Sequence, residues 1–83
     1  MNQLARSAKQ LGAHIRNART ARNLSQQDLA NLVGTGQKTI SRIENGHDGA
    51  KLETVFSIIS ALGLDILLAE RRKGNFSIGD VFS

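Results

Sequence analysis

Polar side chains able to read the base edges of DNA are concentrated between Gln37 and Arg42. They carry amide, ammonium, hydroxyl and guanidinium groups, and the candidates are Gln37, Lys38, Thr39, Ser41 and Arg42. A glutamine amide can pair with adenine through two hydrogen bonds, and lysine or arginine can donate to guanine, where these bases face the major groove. This stretch therefore predicts direct contacts to double-stranded DNA.

A pair of short helices is predicted to position these side chains, and the first covers residues 26–33. Ser25 is a suitable N-cap, and Asp28 three residues later completes the spacing of a capping box. The apolar side of this helix is predicted to consist of Leu29, Ala30, Leu32 and Val33. Gly34 follows directly, at the point where the end of a helix commonly requires left-handed backbone.

The second helix of the pair is predicted over residues 37–45, with its end marked by Asn45 and Gly46. Ile40 and Ile43 are spaced to be buried together, which turns the polar side chains outward. Two helices joined by a tight turn, with hydrogen-bonding groups on the outer face of the second, have the arrangement that places a helix in the major groove.

A longer helix is predicted before this pair. Ser7 and Gln10 have capping-box spacing, which indicates a helix over residues 8–22. An apolar stripe that begins at Leu4 favours an earlier start, and we expect an extension that frays.

A fourth helix is predicted over residues 51–62, ending before Gly63. Its inward face is predicted to be Leu52, Val55, Phe56, Ile59 and Leu62. Ile58 falls outside that stripe, so the apolar surface is wider than one small core requires.

Residues 64–70 switch from helical spacing to a short apolar run that is typical of a β-strand. A lone strand exposes unpaired backbone groups, so the simplest arrangement pairs it with the same strand of a second copy about a two-fold axis. A fifth helix and an extended edge segment are the alternatives. The interface of this homodimer is predicted to contain Phe56, Ile58, Ile66, Leu67 and Leu68.

The chain of 83 residues is predicted to form one small domain over residues 1–70, followed by a tail over residues 71–83. The tail begins with three basic residues and becomes apolar, with glycine and serine between. Two interpretations remain open for Arg16, Arg22 and the basic residues 71–73. Arg16 and Arg22 either form a solvated basic face or have a function, and residues 71–73 are either solvated or form a phosphate-contacting patch at the dimer edge.

Composition narrows the class of function. A net charge of +4 is compatible with a polyanionic partner, and the absence of cysteine excludes disulfides and thiolate metal sites. His14 and His47 have no acidic or thiol companion at ligand spacing, and no catalytic arrangement is suggested. No apolar run is long enough to span a bilayer, and the first residues lack the apolar segment of a secretory signal. We expect a cytoplasmic protein that is not an enzyme and uses no cofactor, metal or membrane.

The run from Leu11 to Leu64 resembles the Xre/Cro-type helix-turn-helix repressors. The matching segments are IRNAR at 15–19, LSQQDLA at 24–30, VG at 33–34, TISRIENG at 39–46 and LETVFSIISALGL at 52–64. The resemblance implies an all-α, five-helix-type fold similar to lambda repressor, to which the predicted strand adds a dimer contact. It also implies a dimeric, sequence-specific repressor on a palindromic operator.

The resemblance supports the groove contacts predicted above and implies further roles. Gln26 and Asn45 match positions that contact phosphate in the family, and an amide at a helix N-terminus suits an anion. Arg19 and Glu44 match positions that often pair, which would tie the first helix to the end of the recognition helix. Gly36 departs from the family pattern, where many members carry a side chain. It either loosens the turn or lets the backbone approach a phosphate.

The segment DILLAE at 65–70, with its basic and apolar continuation, resembles HipB-type antitoxins within this family. That resemblance implies a protein that represses its own operon and binds a HipA-like kinase toxin. Phe82 then has the position of a terminal aromatic residue offered to the toxin, and a tail without a partner is the other open interpretation. A stand-alone or phage-type regulator is the alternative function.

Overall fold

Four α-helices form the part of the chain described by the computed structural model, which covers residues 3–47 and 49–71. They are α1 (Ala8–Ala21), α2 (Gln26–Val33), α3 (Gln37–Glu44) and α4 (Leu52–Ala61). The expected all-α fold is confirmed, and every helix boundary lies within one residue of its predicted position, the Leu4 extension excepted. α3 packs against α1 and α2, and α4 packs against α2. Within the described ranges, no helix has the length and apolar character needed to cross a membrane.

Local hydrogen bonds explain why the helices begin and end where they do. Ser25 Oγ accepts from the backbone N–H of Asp28 at 2.9 Å, and Asp28 Oδ2 accepts from the backbone N–H of Ser25 at 2.8 Å. The backbone bond from Ser25 and then the bond to its side chain lower the pKa of Asp28. Gly34 ends α2 with φ of 84°, a left-handed conformation that glycine adopts without steric cost.

The predicted extension of α1 towards Leu4 is wrong. Residues 3–6 are not helical, and Leu4 is 66% exposed. Ser7 has extended backbone, and its side chain accepts from the N–H of Gln10, while the N–H of Arg6 donates to the Gln10 side chain. The cap therefore begins the helix after Ser7, and the apolar stripe does not extend it because Leu4 has no core to pack against.

The core contains residues from all four helices. Its buried members are Ile15, Leu29, Ala30, Ile40, Ile43, Val55, Ile58, Ile59 and Leu62. The predicted inward face of α4 is wrong at Leu52 and Phe56, which are exposed, and Leu32 of α2 is exposed as well. Ile58 is 0% exposed, so it is a core residue and cannot contribute to a dimer interface as predicted. Because α4 is apolar on more than one side, the spacing of its residues is compatible with two different inward faces. Packing against α2 determines which of the two is buried.

Residues 64–71 have neither helix nor strand in the single chain. The predicted strand is therefore not confirmed, and neither is a fifth helix within residues 3–47 and 49–71. A strand requires a neighbouring strand for its backbone groups, and this part of the chain offers none. Ile66, Leu67 and Leu68 are 40%, 71% and 92% exposed.

The backbones of α1 and α3 approach closely at Gly12. A Cβ atom on Gly12 would overlap the carbonyl oxygen of Ile43 and lie 2.7 Å from that of Glu44. Only glycine allows this approach, so the main chain itself sets the distance between the two helices.

Candidate nucleic-acid interface

The outer face of α3 carries four of the polar side chains that the sequence singled out. Gln37, Lys38 and Arg42 are exposed, whereas Thr39 and Ser41 are half-buried. Since successive residues of a helix are turned by about 100°, Gln37, Ser41, Lys38 and Arg42 follow one another around this face, with Thr39 at its edge. The acidic residue of the helix, Glu44, is buried next to the Gln37 edge of this face. The exposed face is therefore basic and rich in hydrogen-bonding groups.

Arg19 of α1 and Glu44 of α3 are paired in the structure through two hydrogen bonds. Arg19 Nε donates to Glu44 Oε2 at 2.6 Å, and Arg19 Nη2 donates to Oε1 at 3.1 Å. The side chains are 11% and 0% exposed. Arg19 Nη1 also donates to the carbonyl oxygen of Leu24 at 2.7 Å. The pair thus joins α1, the α1–α2 loop and the end of α3.

Opposing effects act on the carboxyl group of Glu44. Burial acts to raise its pKa, but the hydrogen bonds from Arg19 and Gln26, with the positive charges of Arg19 and Arg16, outweigh burial and lower the pKa. The hydrogen bond to Glu44 raises the pKa of Arg19. Both groups therefore remain charged near neutral pH.

Arg16 lies beside this ion pair and reaches Asn45. Its Nε is 3.6 Å from Glu44 Oε1, and its Nη2 donates to Asn45 Oδ1 at 2.9 Å. The carbonyl side of the Asn45 amide is thereby occupied, and the NH₂ group remains as a donor, which suits the phosphate contact expected of this residue. Arg22 donates through Nη1 to Ala18 of its own helix at 2.8 Å.

Gln26 connects Glu44 to the first residue of α3. Its Nε2 donates to Glu44 Oε1 at 3.1 Å, and its Oε1 accepts from Gln37 Nε2 at 2.6 Å. Residues 44, 26 and 37 form what we call the Glu44–Gln26–Gln37 chain. Sequence reasoning missed these bonds because nothing in the spacing of the residues indicates them.

A polar groove lies beside the outer face of α3. Its lining includes hydroxyl and basic side chains, among them Thr35, Thr39, Arg42, Lys51 and Thr54. Thr35, Lys51 and Thr54 were not singled out from the sequence, since isolated hydroxyl and lysine side chains carry no recognisable pattern. They add donors suited to a phosphate backbone next to the predicted groove contacts.

Gly36 has φ of −89° and ψ of 154°, a conformation open to any residue, and nothing would crowd a Cβ atom there. The turn itself therefore does not require glycine at this position.

The remaining site predictions concern the apolar surface. Phe56 is 49% exposed and lines a shallow groove between α2 and α4 together with Leu32, Val33 and Ala61. Phe82 lies outside the described residues. Among residues 3–47 and 49–71, no cluster of histidine or acidic side chains could hold a metal ion.

Comparison with known proteins identifies the family. The helix-turn-helix family HTH_3 matches residues 15–68. Antitoxin HipB of Escherichia coli strain K12 is 32% identical over 69 residues, which are 83% of this chain and 78% of HipB. The cryptic phage CTXphi transcriptional repressor RstR of Vibrio cholerae is 38% identical over 52 residues, or 63% of this chain and 47% of RstR.

Among solved structures, a chain of the HipA–HipB–O2–O3 complex has the same fold, with a TM-score of 0.79 and 32% identity. The match covers 86% of this chain and 100% of that chain. The helix pair α2–α3 and the outward polar face of α3 are the features expected of a helix-turn-helix protein. The family match includes both of them. The chain therefore belongs to the HTH_3 family and is a helix-turn-helix transcriptional regulator of the Xre type, similar to HipB.

Proposed function

We propose that the protein is a repressor that binds double-stranded DNA as a homodimer, with α3 of each subunit in the major groove of a palindromic operator. The observation that carries this proposal is the outer face of α3. Gln37, Lys38 and Arg42 are exposed on it, while Ile40 and Ile43 anchor the opposite side of α3 in the core. These side chains, with Thr39 and Ser41, are the proposed base contacts.

Phosphate contacts would flank the base contacts and set the register on the duplex. Gln26 begins α2, and Asn45 follows α3 with its amide donor available, so the two residues bracket the reading helix. Each phosphate contact from a basic side chain releases counterions, and we therefore expect affinity to fall steeply with salt.

A second copy would cover the apolar surface that one chain leaves exposed. Phe56, Ile66, Leu67 and Leu68 are the proposed interface residues, and residues 64–70 of the two copies would pair as strands. A two-fold axis through this interface would present both α3 helices to one side of the duplex, roughly 34 Å apart.

The direct test is selection of bound sequences from a library of random duplexes, followed by titration of the selected duplex and an unrelated one. Gln37→Ala and Lys38→Ala should each lower the discrimination between the two duplexes by about 1–3 kcal/mol. Gln27→Ala is a matched control, because Gln27 is also an exposed glutamine and its amide donates only within α2, to Asn31 at 2.9 Å. Equal losses on both duplexes would contradict base reading by α3.

The similarity to HipB supports a finer proposal, in which the protein represses its own operon and binds a HipA-like kinase toxin. HipB has been solved together with HipA, and its chain in that complex has the fold of this protein. Phe82 is the proposed toxin contact. Co-purification of a HipA-like protein from the same gene neighbourhood, with and without residues 74–83, tests both points.

A stand-alone regulator is the second candidate, and the similarity to the phage repressor RstR favours it. The two candidates differ in the partner and not in the DNA contacts. A solitary gene with no kinase reading frame beside it would favour the stand-alone regulator.

A further inference from the structure

We propose that Glu44 sets the direction of the hydrogen bonds in the Glu44–Gln26–Gln37 chain and thereby decides which way round Gln37 offers its amide to a base. This inference rests on the proposed function, because it concerns how α3 reads DNA. Glu44 is 3% exposed and cannot reach DNA itself. Its role is that of a positioning residue, which acts through Gln26.

The first step is that Glu44 can only accept hydrogen bonds. An ionised carboxylate has no proton to donate, and three donor groups face it, namely Arg19 Nε, Arg19 Nη2 and Gln26 Nε2. Arg16 Nε adds a second positive charge 3.6 Å from Oε1. With this many donors and cations around it, the carboxyl group has no reason to take up a proton at neutral pH.

The second step follows from the two unlike ends of a side-chain amide. Because Glu44 accepts, Gln26 must turn its NH₂ group towards Glu44, at 3.1 Å. Its oxygen then faces Gln37 and accepts from Gln37 Nε2 at 2.6 Å. The NH₂ group of Gln37 is therefore held on the side of α2, and its oxygen lies on the other side.

The third step concerns what Gln37 has left for DNA. One N–H of Gln37 is used on Gln26, so the second N–H and the side-chain oxygen are available at an exposed position. One donor beside one acceptor matches the N7 and N6 groups of adenine in the major groove. Since the order of donor and acceptor is fixed, the amide can match adenine in one orientation only, which distinguishes a base pair from its reversed form.

Replacement of Glu44 by glutamine should remove this fixed order. Arg19 donates to both oxygens of Glu44, so neither orientation of the new amide keeps both bonds, and in one of the two orientations its NH₂ group turns towards Gln26. In that orientation, Gln26 would present its oxygen to residue 44 and its NH₂ group to Gln37. Gln37 would have to accept, and its donor and acceptor would exchange places at the DNA.

The experiment selects preferred sequences from random duplexes with the full-length wild type, Glu44→Gln, Gln26→Met and Gln37→Ala. Gln37→Ala identifies the base pair that depends on Gln37. At that pair, we expect Glu44→Gln to lose the wild-type preference and Gln26→Met to weaken it by about 5- to 10-fold. Preferences at the other pairs should remain, and the control Gln27→Met should resemble the wild type throughout.

A purely structural or phosphate-binding role predicts a different result. It would lower affinity for all sequences alike and leave the preference at the Gln37 pair unchanged, and that result in folded Gln26→Met would overturn the inference. If Glu44→Gln fails to fold by circular dichroism, Gln26→Met decides alone. In a Gln37→Ala background, Gln26→Met should have no further effect on that pair.

The inference and the proposed function fail in distinguishable ways. A wild-type protein that selects no sequence at all contradicts the proposed function. A wild-type protein with a clear preference that both folded variants retain contradicts only the role of Glu44.

Discussion

The polar junction between α1, α2 and α3 differs from the apolar surface of α2, α4 and residues 64–71. The polar groups of the junction are paired within one chain, whereas large apolar side chains on the other surface remain exposed. At the junction, Arg19, Glu44 and Gln26 find their hydrogen-bond partners within one chain. On the apolar surface, Phe56 and Leu68 remain 49% and 92% exposed. One chain is therefore sufficient to fix the orientation of α3, whereas the second surface would be covered only by the proposed partner copy.

In the proposed dimer, this difference separates two tasks. The orientation of α3 is encoded by contacts within a subunit, and the spacing between two α3 helices would be encoded by the contacts between subunits. Substitutions at the junction should thus act on folding and base reading, and substitutions on the apolar surface on association.

The largest effect is expected from Arg19→Ala, which breaks the junction. It leaves the carboxylate of Glu44 buried without its main partner, and loss of one member of a buried pair costs about 3–5 kcal/mol. Urea unfolding measures the change in the free energy of unfolding. Arg22→Ala is the matched control, because Arg22 is exposed and bonds only to its own helix, and it should change stability by less than about 1 kcal/mol. Similar effects of the two variants would show that the junction does not stabilise the fold.

The second-largest effect comes from a comparison of two residues of α4, one buried and one exposed. Ile58→Ala removes a fully buried side chain and should destabilise the chain by about 2–5 kcal/mol. Phe56→Ala should cost less in unfolding, because Phe56 is already half exposed, but it should shift the protein towards monomer in sedimentation experiments. A dimer of undiminished affinity in Phe56→Ala would remove Phe56 from the proposed interface.

The smallest effect concerns acid. The pKa of Glu44 is lower in the folded chain than its ordinary value of 4.5, so the unfolded chain binds the proton more readily. Its contribution to stability is present above about that ordinary value and is lost as pH falls through the lower folded pKa. Unfolding measured between neutral and acid pH should show a shallower loss in Glu44→Gln than in the wild type. The pKa of Asp28 is also lowered in the folded chain, so its contribution to stability is lost as pH falls as well. Equal slopes in both proteins would therefore assign the acid sensitivity to groups other than Glu44.

Helix positions were predictable because the signals that end a helix are local. Ser25, Asp28 and Gly34 lie within ten residues of one another, and their hydrogen bonds and backbone conformation are those that the sequence indicates. The inward face of α4 was not predictable in the same way. Ile58 and Phe56 are both apolar, and the choice between them depends on the position of α2, which no local pattern encodes.

The candidate site shows the same limit. The polar face of α3 follows from the spacing of Ile40 and Ile43, whereas the pairing of Arg19 with Glu44 was expected only from a family resemblance. Gln26 and Gln37 are eleven residues apart in sequence and meet because of the turn between α2 and α3. Contacts between side chains on different helices depend on tertiary geometry, and one sequence does not contain that information in readable form.

The contact at Gly12 has a consequence for how such a protein could change its target. Because main-chain atoms touch there, the height of the reading helix above its neighbour does not depend on the size of any side chain. Exchange of the outward residues of α3 for those of another helix-turn-helix regulator would therefore leave the packing of α3 against α1 intact. The packing of the helices and the DNA sequence preferred by α3 can therefore change independently. The contact at Gly12 would hold α3 in the same place in variants with engineered specificity.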